Sequence, residues 1–480
     1  MSLNAVIVWF RNDLRLADNP ALHAATRRGA RIIPVFVPVP RTGRPWSPGA
    51  ASNWWLHGSL DALDKRLRQK GSRLILRSGT PLEALTKLAD ETGADSVYWN
   101  RQYEPATLAE DDRVKSGLSR LGLRVETHPG SLLCEPWEVR TRNGAGYRVF
   151  TPFWRHLQSA LSIDDPLPEP IRLDSPGDLD SLDLGALALL PTIRWDSKLA
   201  ARWRVGEVAA ESVLSSFCDT RLTRYAEDRD RLGKSGTTHL SPALHFGELS
   251  SRQAWHAAVR ARDTGLSSVS GCESFLRQLG WRDFAWHLLF HFPQLPEKPV
   301  AARFRHFPWT NGYEESLQAW REGKTGIPVV DAGMRQLWQT GWMHNRARML
   351  TASLLCKNLL IPWQRGEAWF WDTLVDADLA NNAMGWQWVA GSGPDAAPYF
   401  RVFNPVRQGE RFDPDGQYVR RWIPELAALD ADWIHHPWDA PANELAKAGV
   451  TLGTNYPKPI VDLPISRRTA LEAYAATKPR

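Results

Sequence analysis

Short and almost continuous apolar segments recur through the first third of the chain and predict buried strands. They are AVIVWF at Ala5–Phe10, IIPVFVPV at Ile32–Val39, RLILR at Arg73–Arg77, SVYW at Ser96–Trp99 and LRVET at Leu123–Thr127. Uninterrupted apolar strands are typical of parallel sheets that are covered on both faces. Amphipathic stretches separate them, and the clearest predicts a helix over Asn53–Lys70, capped by Ser52 or Asn53 and stopped by Gly71. This alternation predicts an α/β domain.

After about Gly206 the apolar positions follow a helical period. Predicted helices cover Glu207–Cys218, Gly271–Phe290, Ile327–Gln339, Asn345–Leu359 and Glu367–Val375. A Pro-, Asp- and Leu-rich stretch at about Asp164–Arg194 predicts a surface linker between the two parts. We therefore predict a Rossmann-like, doubly wound parallel sheet over residues 1–135, a linker over 136–205 and an all-helical domain over 206–480.

Composition narrows the class of protein. The chain has 480 residues, of which 43% are hydrophobic and 23% charged, and this supports two or three globular domains. No apolar run is long enough for a membrane span, and the N-terminal sequence does not resemble a secretory signal, so we expect a cytoplasmic protein. The four cysteines lack the spacing of a metal site, and we expect no metal. The net charge of +6 permits a polyanionic partner without establishing one.

Tryptophans are concentrated in the helical part. Eleven of the 24 lie between Trp281 and Trp388, many beside Asn, Asp and Arg. A core does not need this, because a buried indole N–H must find a hydrogen-bond partner. Any single tryptophan is more simply explained by core packing, but the cluster as a whole favours stacking on flat ligands or electron transfer.

Two polar groups accompany the tryptophans. Gly236–Thr238 supplies a glycine and two hydroxyls just before Ser241-Pro242, which has the form of a helix start and would suit a phosphate. Taken alone, this segment is better explained as an ordinary capped helix. WMHNRARM at Trp342–Met349 and DADLANNAMGWQW at Asp376–Trp388 add arginines, carboxylates and asparagines. Arg348 and Asp376 form a plausible pair, either as a structural ion pair or as the rim of a bound flat ring system.

Long motifs in a fixed order then carry a resemblance over nearly the whole chain. They are WFRNDLRLADNPAL, GTTHLSPALHFGELS, LGWRDFAWHLLFHFP, GKTGIPVVDAGMRQLWQTGWMHNRARM, DADLANNAMGWQW, DAAPYFRVFNP and NYPKPIVD. The chain resembles the photolyase/cryptochrome flavoproteins, closest to the bacterial class I photolyases that repair cyclobutane pyrimidine dimers. The resemblance implies an N-terminal antenna domain and a helical domain that binds FAD non-covalently.

The resemblance also implies residue roles. Positions matching the FAD contacts are Tyr225, Thr237, Thr238, His239, Leu240, Ser241, Phe275, Arg348, Asp376, Ala377, Asp378 and Asn382, and Asn382 matches the asparagine facing the redox-active flavin nitrogen. The electron-transfer chain matches Trp386, Trp363 and Trp309. Positions matching the DNA and lesion contacts are Arg229, Gln278, Trp281, Arg282, Asn345, Arg346, Met349 and Trp388. Trp281 and Trp388 match the indoles that flank the extruded dimer.

The implied activity is a light-driven carbon–carbon lyase reaction. Photoexcited, fully reduced FAD passes an electron to the flipped-out dimer, the cyclobutane ring splits and the electron returns. UV-damaged DNA is the implied partner of a monomer with no obligate protein partner. The antenna chromophore is left open among methenyltetrahydrofolate, a deazaflavin, another flavin or none. Glu104 resembles a folate-contacting acid, although an ordinary surface glutamate is the commoner explanation.

One position departs from the family pattern. Gln278 stands where cyclobutane-dimer photolyases usually have a glutamate, and glutamine keeps the hydrogen-bonding capacity but can neither transfer a proton nor carry charge. A six-four photoproduct photolyase is a weaker alternative, because that subgroup has histidines where this chain has Asn345 and Met349. A cryptochrome photoreceptor is the other alternative, although Trp281, Asn345, Met349 and Trp388 favour repair.

Overall fold

The five predicted strands form one parallel sheet in a computed structural model that describes residues 5–38, 46–160, 162–395 and 400–477. The strands are β1 (Ala5–Phe10), β2 (Arg31–Phe36), β3 (Ile75–Leu76), β4 (Ala94–Asn100) and β5 (Arg124–His128), in the order β3-β2-β1-β4-β5. The strand order reverses between β1 and β4, which pair from Ala5 with Ala94 to Trp9 with Trp99. Open parallel sheets bind ligands at such a reversal, beyond the carboxyl ends of the strands.

Apolar side chains cover both faces of β1, β2 and β4, as the continuous strand pattern predicts, whereas the edge strand β5 is not buried as predicted. Val6, Val8 and Phe10 belong to one buried cluster, whereas Ile7 and Trp9 belong to the other. The alternation follows from the period of two along a strand. The predicted α/β class and parallel sheet are therefore confirmed. Val39, the last residue of the predicted second strand, lies outside the described residues.

The chain divides by its internal contacts into two compact units. The first unit comprises Met1–Thr223, Thr238–Pro293 and Val375–Asp378, and the second comprises Arg224–Thr237, Gln294–Leu374 and Leu379–Arg480. This division cuts through the predicted helical domain, so the limits 1–135, 136–205 and 206–480 stay a prediction. Within the part of the chain that is described, no helix is long and apolar enough to cross a membrane.

The α-helices of the first unit are Pro20–Arg27, Ala50–Gln69, Pro81–Thr92, Pro105–Arg120, Phe150–Ala160, Ser197–Arg202, Glu207–Thr220, Ser241–His245, Ser251–Asp263 and Val269–His291. The helix predicted over Asn53–Lys70 begins earlier than expected, because Gly49 rather than Ser52 or Asn53 is its cap and Ser52 is buried inside it. Gly71 ends it with a φ of +94°, as predicted. The predicted linker is not structureless, since Phe150–Ala160 and Ser197–Arg202 are helical.

The second unit is helical. Its α-helices are Tyr225–Asp228, Glu314–Glu322, Pro328–Thr340, Asn345–Ser353, Trp363–Thr373, Leu379–Ala390, Pro405–Phe412, Gln417–Trp422, Ala442–Lys447 and Leu463–Ala476. The helix predicted over Asn345–Leu359 changes to a π-helix at Leu354–Asn358. The helix predicted over Glu367–Val375 begins one turn earlier, at Trp363, and ends at Thr373.

Candidate functional site

A strained turn with hydroxyl side chains precedes the short helix Ser241–His245 in the first unit. His239 has a φ of +58°, which is costly for a residue with a side chain and is found mainly where function over-determines the backbone. The hydroxyl of Thr238 accepts a hydrogen bond from the backbone N–H of Leu240 at 3.1 Å. The turn therefore holds Thr238, His239, Leu240 and Ser241 in one defined conformation.

Two buried carboxylates on the segment Val375–Asp378 lie beside this turn, within the same unit. The Ser241 hydroxyl donates to Asp376 Oδ2 at 2.6 Å, and His245 Nδ1 lies 3.6 Å from Asp378 Oδ2. Ala377 between them is fully buried. Ser241 is thus not the side-chain cap that its sequence suggests, because it is already the first helical residue and its hydroxyl is used by a carboxylate. A charged rim of this kind suits a polar ligand.

The helix Val269–His291 carries four predicted site residues. Phe275 is buried, with its ring 5.0 Å from that of Phe217. Gln278 is half-buried, and its Nε2 donates to the carbonyl of Ser274 at 3.3 Å, which leaves Oε1 to face a ligand. Trp281 is half-buried as well.

Arg282, the fourth, is held inside the first unit. Its guanidinium donates to Ser131 O at 2.7 Å, Ser251 Oγ at 3.2 Å and Leu244 O at 3.1 Å. These bonds occupy donors that a DNA phosphate would require. The geometry therefore favours a role in fixing the helix for Arg282 over a phosphate contact.

Glu104 lies at a pocket beyond the carboxyl ends of β1 and β4, where the strand order reverses. Asn12, Asn100, Tyr103 and Trp286 also line it. Trp286 is buried, and its Nε1 has no hydrogen-bond partner in the described part of the chain. Its lining combines aromatic rings with polar side chains.

In the second unit, Tyr225 and two arginines surround Asp230. The Arg229 guanidinium lies 5.7 Å from the buried Tyr225 ring, and its Nε is 3.9 Å from an Asp230 oxygen. Arg346 is bound more tightly to Asp230, at 2.7 Å. Two cations share one carboxylate, which leaves a positive surplus. Thr237, also in this unit, follows Gly236, where a Cβ would come within 2.2 Å of the Asp228 carbonyl and cannot be accommodated.

Asn345 and Met349 occupy the same side of the helix Asn345–Ser353, where Asn345 Nδ2 lies 3.9 Å from the Met349 sulfur. His344 caps this helix, because its Nδ1 accepts from the backbone N–H of Arg346 at 3.1 Å. Burial lowers the pKa of His344 to about 4, so the ring stays neutral and keeps its acceptor. Arg348 Nε donates to the Met343 carbonyl at 2.8 Å. The predicted pair of Arg348 with Asp376 stays a prediction.

Trp386 and Trp363 are both fully buried in the second unit. Trp386 packs against Gly366, and its ring centroid is 5.0 Å from Phe370 and 6.2 Å from Trp320. Sequence reasoning missed Trp320, which is also buried, because no motif marks its contact with Trp386. The buried Trp386 therefore has another indole within short range in addition to the predicted chain.

The side chain of Asn382 has a fixed direction. Its Nδ2 donates to the Glu367 carbonyl at 3.1 Å, so Oδ1 is the group available to a ligand. The Glu367 carboxyl is itself completely buried, and neither of its oxygens has a hydrogen-bond partner among the described residues. Burial, with a contribution from the charge of Glu297, raises the pKa of Glu367 far above its usual range, and the carboxyl is neutral. Sequence reasoning did not single out Glu367.

Trp309 and Trp388 complete the predicted set. Trp309 is half-buried, with its ring 4.4 Å from Phe307 at the edge of an aromatic cluster. Trp388 is half-buried and stacks loosely on Phe403 at 6.5 Å. Both indoles are thus less enclosed than Trp386, as expected for residues near a surface or a ligand.

Known proteins resemble this chain over most of its length. The family model described as DNA photolyase matches residues 6–171, and the one described as FAD binding domain of DNA photolyase matches residues 275–476. The deoxyribodipyrimidine photo-lyase of Agrobacterium fabrum is 48% identical over 98% of this chain and 98% of its own length. This chain belongs to the DNA photolyase family.

Its photolyase fold is matched closely by a solved structure. A bacterial class III photolyase from Agrobacterium tumefaciens has a TM-score of 0.95 and 48% identity, and the match covers 99% of this chain and 98% of that one. Cryptochrome-2 of Arabidopsis thaliana is 39% identical over 98% of this chain and 79% of its own length. The expected resemblance to photolyases is confirmed. The solved relative is a class III photolyase, whereas the sequence motifs resembled class I.

The residues of this photolyase fit an FAD. In the first unit, the hydroxyls of Thr238 and Ser241 and the buried carboxylates of Asp376 and Asp378 suit a ligand that carries phosphates, sugar hydroxyls and a polar ring. In the second unit, Asn382 offers a single fixed acceptor. The family match and these donor sets support FAD as the cofactor.

Proposed function

We propose that this chain is a deoxyribodipyrimidine photo-lyase, which uses blue light to repair cyclobutane pyrimidine dimers in UV-damaged DNA. The observation that carries the proposal is Trp281, a half-buried indole beside Gln278, because an aromatic face next to a hydrogen-bonding amide suits an extruded pyrimidine dimer. Full burial would have indicated only a core residue.

Two sets of residues serve the cofactor in this proposal. In the first unit, Thr238, His239, Leu240, Ser241, Phe275, Asp376, Ala377 and Asp378 bind FAD. In the second unit, Tyr225, Thr237, Arg348 and Asn382 do so. When bound and reduced, FAD supplies the light-driven electron that opens the cyclobutane ring. The carboxylates orient the cofactor, and Asn382 presents Oδ1 as an acceptor to the redox-active ring edge.

The tryptophans divide between two tasks. Trp386, Trp363 and Trp309 pass electrons to the FAD when it has become oxidised. This task suits Trp386 and Trp363 because their burial excludes water from the indoles. Trp281 and Trp388 stack on the lesion. Asn345, Met349 and Gln278 contact the dimer, and Arg229 and Arg346 contact DNA phosphates, where Asp230 reduces but does not cancel their charge.

The finer assignments extend the same proposal. We infer that the pocket at Glu104 holds the antenna chromophore, because it lies beyond the carboxyl ends of β1 and β4, where open parallel sheets bind ligands. We also infer a cytoplasmic monomer with the domain limits 1–135, 136–205 and 206–480, and no obligate protein partner.

One experiment tests the function. The purified protein should contain about one non-covalent FAD per chain, as one site of the kind found in cofactor enzymes predicts, and the reduced protein should repair a thymine-dimer oligonucleotide under blue light. A six-four oligonucleotide is the matched substrate control. Loss of the dimer only in the light supports the proposal. Stable FAD without repair of either lesion would instead favour a cryptochrome-type photoreceptor.

A further inference from the structure

Phe150 is stacked directly on Trp281 inside the first unit. The two ring centroids are 3.7 Å apart and the planes differ by 8°. This is closer than the 4.5–7 Å at which aromatic pairs usually lie, and it is a face-to-face contact. Phe150 is 1% exposed, whereas Trp281 is half-buried. One face of the Trp281 indole is therefore covered by protein while part of its surface stays accessible.

Other contacts hold Phe150 in place. The Trp154 ring lies parallel to it at 6.1 Å, and the Phe284 ring meets it edge-on at 5.7 Å. The Arg277 guanidinium lies 5.0 Å from the Phe150 centroid. The position of Phe150 is thus fixed by groups from two helices, Phe150–Ala160 and Val269–His291.

These two helices approach closely because Gly280 precedes Trp281. A Cβ at Gly280 would lie 2.3 Å from a ring carbon of Trp154, so any residue with a side chain at this position would clash with that ring. The apolar face of the shorter helix, formed by Phe150, Phe153, Trp154 and Leu157, has the i, i+3, i+4, i+7 spacing of a buried helix. The sequence region treated as a linker therefore contributes a wall to the surroundings of Trp281.

We propose that Phe150 is a positioning residue for lesion binding, which fixes the Trp281 indole in the orientation that stacks on an extruded pyrimidine dimer. This inference rests on the proposed photolyase function. A side chain that is already immobilised loses less freedom on binding, so preorganisation raises the affinity for the partner. Phe150 itself does not contact the DNA in this proposal.

The test compares Phe150→Leu, Phe150→Tyr and Phe153→Leu. Leucine at position 150 removes the ring, and tyrosine retains it. Phe153 is the matched control, because it is equally buried on the same helix and packs on Phe284 at 5.1 Å and on His287. We expect Phe150→Leu to weaken binding of a thymine-dimer duplex by about tenfold, because misorientation of Trp281 forfeits part of a stacking contact worth about five- to 150-fold in affinity.

Three further readouts define the role. Binding of the undamaged duplex and the repair yield at saturating damaged duplex should be unchanged in Phe150→Leu. Phe150→Tyr should bind as the wild type does. A loss of affinity for both duplexes, matched by Phe153→Leu, would overturn the proposal, because it would show that Phe150 only stabilises the fold.

A measurement without DNA separates this inference from the proposed function. In protein labelled with 5-fluorotryptophan, the fluorine signal that disappears in Trp281→Phe identifies Trp281. Because a parallel ring at 3.7 Å shields it, this signal should shift in Phe150→Leu and not in Phe153→Leu. An unchanged signal would refute the positioning role even if the protein repairs DNA. A shifted signal in a protein whose wild type does not prefer damaged DNA would refute the function instead.

Discussion

Trp281 and Trp386 carry the same indole in two different surroundings. Trp386 is 2% exposed and is enclosed by Gly366, Phe370 and Trp320. Trp281 is half-buried, with one parallel ring beside it and part of its surface open. The enclosed indole can exchange electrons with neighbouring rings, and the open one can receive a flat ligand. The surroundings of each indole, more than its identity, indicate its task.

The strongest way to break this comparison is to remove the enclosed indole. Trp386→Phe should reduce photoreduction of bound oxidised FAD to the dark background, because phenylalanine is much harder to oxidise than tryptophan. Chemically reduced enzyme should still repair, since repair does not use this chain. The measurement is flavin absorbance under blue light with an external reductant.

Trp320→Phe is the matched control, because Trp320 is buried and lies 6.2 Å from Trp386. It should slow photoreduction less than Trp386→Phe does. If the FAD of the Trp386 variant is photoreduced normally, Trp386 is not the indole that donates electrons to FAD, and the functional contrast with Trp281 fails.

A second prediction concerns the space around Trp386. In Gly366→Ala the new Cβ would come within 2.0 Å of the Trp386 ring, so helix and indole must separate. Overpacking of this kind costs about 1–3 kcal/mol of stability or more. The midpoint temperature of thermal unfolding should fall, and photoreduction of the bound FAD should be slower.

Gly385→Ala is the control on the helix of Trp386, since nothing lies within 4 Å of its Cβ. It should be neutral or stabilise the protein by about 0.5–1 kcal/mol, because alanine favours the helix. If Gly366→Ala were as stable as the wild type, the Trp386 indole would not be packed tightly against position 366.

A third prediction uses the buried acid Glu367, which follows Gly366 in the sequence. The pKa of Glu367 is raised in the folded protein, so its contribution to stability is complete below the unfolded pKa and is lost as the pH rises towards the folded pKa. Between these values the free energy of unfolding falls by about 1.4 kcal/mol for each pH unit.

Glu367→Gln removes this dependence. The wild type should therefore lose stability relative to the variant as the pH rises above about 4.5, the ordinary glutamate pKa. Denaturant unfolding of both proteins at several pH values measures the difference. Parallel pH profiles would show that Glu367 is ionised or hydrated in the folded state.

Gln278→Glu, the substitution with the smallest expected effect, sharpens the open side of the comparison. Because Gln278 Nε2 is used by Ser274, Oε1 is its free group. Gln278→Glu keeps an acceptor there, and the yield of cyclobutane-dimer repair should stay level or rise. Gln278→Ala should lose affinity for damaged duplex worth about 1–3 kcal/mol, the cost of an unpaired polar group on the lesion. Gain of repair only in Gln278→Glu would show that Gln278 marks a change of function.

The sequence predicted the sheet well because its signal is local. The strands around Val6 and Val97 are continuous apolar runs, and such runs identify buried strands without knowledge of their neighbours. Helix starts were less accurate. The cap at Gly49 has no side chain to mark it, whereas Ser52 and Asn53 are good cap types that happen to lie inside the helix.

The site was predictable only as a set of residue types. The motifs supplied Ser241 and Asp376, but not that the serine hydroxyl would donate to the carboxylate rather than cap a helix. Phe150 and Glu367 were missed for the same reason. The role of each residue depends on contacts with residues distant in sequence. Hydrophobic periodicity does not predict which helix faces pack against each other.

The buried, neutral carboxyl of Glu367 has a consequence for spectroscopy. A protonated carboxylic acid has a carbonyl stretching band outside the amide region of an infrared spectrum, and without hydrogen bonds that band is narrow and sensitive to electric field. Glu367 follows directly on the glycine that packs against Trp386. Light-induced infrared difference spectra, with Glu367→Gln to assign the band, can therefore report changes of electric field inside the second unit with no added label.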